Sequence, residues 1–108
     1  MEISFEEFQK IDIRIGKIIN ANHISGSKTL IKILVDFGDI KKQSVSGLLQ
    51  WYKPEDLVNK MGVFIINLKS RKVMGIESQC MILAAEDSKG NVVVLQPEKE
   101  IDSGSKIR

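Results

Sequence analysis

The alternation in Ile11-Asp12-Ile13-Arg14-Ile15, and its loss of phase after Gly16 in Gly16-Lys17-Ile18-Ile19, constrains this chain more than any other feature. A period of two marks a strand with one face buried, and a glycine at a phase slip marks a bulge or a sharp bend. A long first strand that bends is what a small barrel needs to turn a corner. The same period recurs in Leu30–Phe37, where Ile31, Ile33, Val35 and Phe37 share one face and Lys32 and Asp36 point the other way with Leu30 and Leu34. Gly38–Lys41 supplies a turn, and Lys42–Leu48 reads as a third strand, polar on one side. Two short apolar runs, Val63–Ile66 and Met81–Ala85, predict a fourth and a fifth strand joined by a long loop.

Two helices punctuate the pattern. Ser4 and Glu7 form a Ser-x-x-Glu capping box, and Ile3 is placed to staple onto Phe8. The short helix so started carries Phe5 and Phe8 and is expected to plug one end of the core. Pro54 suits a first helical turn, and Glu55 and Asp56 follow at the positive helix end. Trp51 and Tyr52 are expected to pack this second helix on the barrel; stacking on bases is the other role open to them. The order strand, strand, strand, helix, strand, strand gives an all-β, five-stranded OB-fold barrel. In that fold the face of strands two and three, with the loops joining strands one to two and four to five, forms the binding surface. Here those loops are His23–Thr29 and Lys69–Gln79. One domain results: a helical segment over 1–10, the barrel over 11–85 and a C-terminal extension over 86–108. The extension holds a turn at Ser88–Asn91 and an apolar strand, Val92–Leu95. A closed barrel has no room for that strand inside, so it is expected outside, on its own barrel or on another subunit.

At 108 residues the core is modest, so a partner subunit would help it. No apolar run reaches membrane-spanning length, and no signal-peptide pattern leads the chain. Cys80 is the only cysteine, which excludes an intrachain disulfide and points to a cytoplasmic location. It opens an apolar strand pattern and reads as a small buried hydrophobe. His23 stands alone, without metal-ligand spacing around it. There is no Ser/His/acid set, no paired carboxylates in a plausible cleft and no phosphate-loop glycine pattern, so no catalysis and no cofactor are expected.

Charge is unevenly spread. The net charge is only +2, yet Arg14–Glu77 holds eleven Lys and Arg against five Asp and Glu. The positive potential is concentrated in mid-chain. Lys69, Arg71 and Lys72 fall within four residues of the fourth-to-fifth connection, ahead of Gly75, Ser78 and Gln79. Three cations on a loop held by two strands make a small anion site, and Lys32 lies on the same surface. Lys and Arg would neutralise phosphates, while Ser78 and Gln79 would hydrogen-bond sugar or base edges.

Several segments resemble a known family. They are Asp12–Ile18, Ser46-Gly47-Leu48, Tyr52–Val58, Asn67-Leu68-Lys69 and Gly75–Ala85 with its Gly-Ile-Glu-Ser-Gln-x-Met. The chain is similar over nearly its whole length to the tRNA-binding domain found as the C-terminal domain or separate beta subunit of methionyl-tRNA synthetase, and in free-standing tRNA-binding proteins. It departs at Cys80, where the family usually has Gly. It departs also at His23-Ile24 and Ser27-Lys28, where a His-Pro and an Asp-Lys pair are common. The resemblance implies a homodimer that binds tRNA by structure rather than sequence and assists a synthetase in trans. Position within the motif makes Asn67, Lys69, Ser78 and Met81 tRNA-binding candidates, beside Lys32, Arg71, Lys72 and Gln79. The dimer is expected through Val92, Val93, Val94 and Leu95, with the Phe5/Phe8 helix. The alternative is a CsaA-type, chaperone-like peptide binder, which Tyr52-Lys53-Pro54 and Asp36-Phe37-Gly38 also resemble. Holding peptides would need an exposed apolar groove, whereas the loop's cations favour phosphate.

Overall fold

In the computed structural model, which describes residues 1–108, the opening alternation becomes an eleven-residue strand, β1 (Ile13–His23). It pairs with β2 (Ile31–Asp36) along Lys17–His23 and with β4 (Met61–Ile65) along Ile13–Lys17. One strand thus serves two neighbours in succession, which is how the sheet turns. The register with β2 shifts between Ile18 and Asn20, so the bulge lies there and not at Gly16. Gly16 serves close packing instead. It sits opposite Gly62, and a Cβ on it would lie 2.5 Å from Val35 Cγ1 and 2.6 Å from Phe37 Cε1. Only glycine lets β1 approach the core so closely.

β3 (Lys41–Ser46) pairs with β2, and β7 (Met81–Ile82) pairs with β4, giving a five-stranded antiparallel sheet in the order β3-β2-β1-β4-β7. The two outer strands nearly close it. The Gln79 N–H donates to the Gln43 carbonyl at 2.8 Å, and the Gln43 N–H donates to Gln79 Oε1 at 3.0 Å. The Val45 N–H donates to Ser78 Oγ at 3.0 Å. Side chains therefore complete the seam where the ladder stops.

The β2 face read from the sequence is the heart of the core. Ile31, Ile33, Val35 and Phe37 are all buried, around Ile18, Leu57 and Phe64. Phe37 and Phe64 meet edge to face at 5.5 Å. The short helix α2 (Pro54–Leu57) closes one end through fully buried Leu57. Of its approach segment, Tyr52 packs as expected: it lies against the core and its hydroxyl accepts from the Val94 N–H at 3.1 Å; Trp51 stays 38% exposed, its Nε1 donating to the Gly90 carbonyl at 3.0 Å.

Two further expectations are corrected. The helix α1 (Phe5–Gln9) has its capping box, but it buries no residue and Phe5 is 69% exposed. It is not a plug: its two aromatic rings pack on each other, with centroids 6.3 Å apart, and not into the core. The fifth strand also does not run unbroken from Met81 to Ala85. Leu83 still bonds to Val63, but β8 (Ala84–Glu86) leaves β4 and pairs with β9 (Val92–Val94). The extra apolar strand is thereby split. Val94 is buried in this chain's own core with Val92 packed beside it, while Val93 and Leu95 are exposed. Farther on, the chain returns to β1: the Ile15 N–H donates to the Ser105 carbonyl at 2.8 Å and the Ile107 N–H to the Ile13 carbonyl at 2.8 Å.

Candidate nucleic-acid interface

The basic segment is a hairpin, not the open loop expected. β5 (Arg71–Val73) pairs with β6 (Ile76–Ser78), with Arg71 opposite Ser78 and Lys72 opposite Glu77. Met74 and Gly75 turn it, both at positive φ (50° and 78°). That is the two-residue turn whose twist matches paired strands. Three-residue strands with a Met-Gly turn carry neither a visible period nor the usual Asn-Gly signal, which is why the sequence reads as loop.

Polar side chains fasten this hairpin to β3. Besides the bonds of Ser78 and Gln79 already described, Gln43 Nε2 donates to the Glu77 carbonyl at 2.8 Å, and Gln79 Nε2 donates to Glu77 Oε1 at 3.2 Å. Ser78 is buried. Asn67 is equally occupied: its Oδ1 accepts from the Asp12 N–H at 2.8 Å and its Nδ2 donates to the Lys10 carbonyl at 2.6 Å. Three of the candidate contacts, Asn67, Ser78 and Gln79, therefore use their side chains to hold backbone. They position the hairpin and the chain that enters it.

Between β3 and the β5–β7 segment lies a groove of about 540 Å³. Lys69, Arg71, Ser78, Gln79 and Met81 of the expected set line it, with Val45, Gly47, Leu48, Leu68, Ile82 and Ala84. Met81, a core residue by its strand position, is instead 50% exposed on the groove wall, and Leu68 is 49% exposed. Lys69 and Arg71 are the only ionised side chains in the lining; no Asp or Glu is among them. Lys72 is exposed on the hairpin but outside the groove. Lys32 is half-buried on β2, directly across from Val45, and so flanks the wall without lining it. Sequence reasoning missed the apolar wall from Val45 to Leu48 and at Ala84. Leu68, apolar between Asn67 and Lys69 in a polar stretch, was the one available signal.

Cys80 is part of the groove lining but is only 5% exposed. Burial pushes its thiol up from 9.0 to about 11, although nearby Lys42 and a hydrogen bond with Ser44 pull the other way. It is a neutral thiol at ordinary pH, as its place in an apolar strand suggested. No group of three or more His, Cys, Asp or Glu side chains is arranged to hold a metal ion, and no helix is long and apolar enough to cross a membrane.

The comparisons with known proteins agree with this geometry. A family model described as "Putative tRNA binding domain" matches residues 13–106. The chain is 50% identical, over 99% of its length, to the methionine–tRNA ligase of Methanocaldococcus jannaschii, of which it spans 16%. Among solved structures, a protein related to methionyl-tRNA synthetase from Pyrococcus horikoshii superimposes with a TM-score of 0.94 at 35% identity, over 100% of both chains. The chaperone CsaA of Bacillus anthracis does so with a TM-score of 0.90 at 33% identity, again over 100% of both. The five-stranded barrel, the hairpin beside its open seam and a family match spanning nearly every element lead to one conclusion: this chain belongs to the tRNA-binding domain family.

Proposed function

We propose that the chain is a non-catalytic, structure-specific tRNA-binding module. It acts in the cytoplasm as a homodimer, as the beta subunit or trans-acting partner of a methionyl-tRNA synthetase. One observation carries the reading most: a groove whose only charged lining is Lys69 and Arg71, before and on a hairpin pinned to β3 by side-chain hydrogen bonds. Lys72 and Lys32 extend the positive surface beside it. Phosphates meet fixed cations there, and contacts of this kind register shape rather than base sequence. Exposed Phe5, Val93 and Leu95 supply apolar surface for a second copy; Val94, and in part Val92, belong to this chain's own core.

The test is tRNA affinity as a function of salt. Each phosphate contact contributes roughly 0.7–0.9 to the slope of log affinity against log salt. The double substitution Arg71→Ala, Lys72→Ala is expected to flatten the slope by about twice that and to weaken all tRNAs alike. Unchanged affinity and slope would move the binding face elsewhere. Sedimentation at micromolar concentration is expected to show a dimer of the 12.1 kDa chain.

A second reading keeps its place because of the groove itself. The CsaA-like alternative required an exposed apolar surface, and Leu68, Met81 and Ala84 provide one, backed by the buried Leu48 and Ile82. Competition between tRNA and an unfolded polypeptide for the same surface separates the two. The cationic rim favours tRNA.

A further inference from the structure

We infer that the groove between β3 and β7 is a slot for one unstacked nucleotide of the bound RNA, its base between the apolar walls and its phosphate on Lys69 and Arg71. This deepens the tRNA-binding reading and rests on it. The groove's volume, about 540 Å³, falls within the roughly 300–1,000 Å³ of small-ligand sites. Half-exposed Leu68 and Met81 offer apolar faces that water covers poorly. Backbone supplies the polar part. The Val45 N–H turns away from β2 to reach Ser78 Oγ, so the Val45 carbonyl, on the same side of the strand, faces the seam as well. On the other bank, Leu83 bonds to Val63, so the backbone of Ile82, one residue earlier, turns away from β4 into the seam. A flat heterocycle with donors and acceptors on its edge matches apolar walls that carry backbone groups. An extended peptide would match the backbone equally well, but its repeating unit is neutral where every nucleotide carries a phosphate, and the lining carries cations and no acid. The charge selects the nucleotide.

Gly47 makes the slot testable without touching a charge. It lines the groove, its φ is not in the left-handed region, and a Cβ added there meets no atom within 4 Å. Gly47→Val is therefore expected to fold as the wild type does, checked by its melting curve, and to obstruct the slot. With a tRNA transcript, its affinity is expected to fall about tenfold while the salt slope stays that of the wild type. As a second measurement, a transcript containing 4-thiouridine, irradiated on the unsubstituted protein, is expected to cross-link to the peptide holding Leu68 or that holding Met81. Wild-type affinity in Gly47→Val, or cross-links confined to residues outside the groove, overturns the slot while leaving tRNA binding intact. Loss of binding to a reduced, denatured polypeptide in Gly47→Val, with tRNA affinity unchanged, overturns it in favour of a strand. Failure of the unsubstituted protein to bind tRNA overturns the functional reading and the slot with it.

Discussion

β2 and the β5–β6 hairpin show two ways of holding backbone in place. β2 lies between β1 and β3, bonded on both edges, and alternates buried and half-buried along all of Ile31–Asp36. Many small contributions determine its position, and no single polar side chain does. The hairpin has three residues per strand, buries only Ser78 among them, and meets the barrel through the side chains of Gln43, Ser78 and Gln79. Its position depends on a few directional bonds. The region that carries Arg71 and Lys72 is thus the one whose orientation a single neutral substitution can change, while the region beneath it resists everything but loss of volume.

The sharpest test of the first half is Phe64→Ala. Phe64 is fully buried against Phe37, and emptying its place is expected to cost about 3–5 kcal/mol of stability. Urea unfolding measures it. At a temperature where the variant remains folded, its tRNA salt slope is expected to match the wild type. A changed slope would mean that core and hairpin are not separable.

Cys80 sits between the two regions, and its thiol probes their junction by pH. Its folded pKa is raised from 9.0 to about 11, so the neutral form is favoured in the fold. Below pH 9 both folded and unfolded states keep the proton and the contribution is fully present. Between pH 9 and 11 the unfolded chain ionises first, and stability falls by on the order of 2 kcal/mol. Cys80→Ala is expected to remove that part of the alkaline decline and to leave tRNA binding at pH 7 close to wild type. An alkaline decline identical in both proteins would place the thiol in contact with water.

The smallest effect is the most discriminating. Were Ser78 a contact to sugar or base, as its motif position suggests, Ser78→Ala would weaken binding by on the order of 1 kcal/mol at constant slope. The structure instead has its hydroxyl holding the Val45 N–H. We expect a similar loss of affinity accompanied by a flatter slope, by roughly 0.7–0.9 for each phosphate contact that the loosened hairpin gives up, although no charge has been removed. A constant slope would return Ser78 to the contact surface.

The legible parts of this chain are those with a period. Ile31, Ile33, Val35 and Phe37 announce a buried face, and Ser4 with Glu7 a helix start, because local sterics and short-range hydrogen bonds set both. The cations are visible too, since Lys69, Arg71 and Lys72 are neighbours in sequence whatever they fold into. What stays hidden comes from residues far apart in the chain. Asn67 reads as a ligand contact, but its amide meets Lys10 and Asp12, more than fifty positions away. Met81 reads as core by its strand position, yet β7 lies at the edge of the seam and its side chain faces the groove. Gly47 has no legible role, because open space beside a residue has no signature in its neighbours.

The order of the two helices and the first four barrel strands, the core face and the sign of the charge are therefore settled along the chain, by periodicity and composition. Which polar side chains face a ligand and which hold backbone, and the groove they share, arise only when β3 and β7 come side by side without completing their ladder. Gln43, Ser78 and Gln79 then supply the missing hydrogen bonds at one end, and the other end stays open.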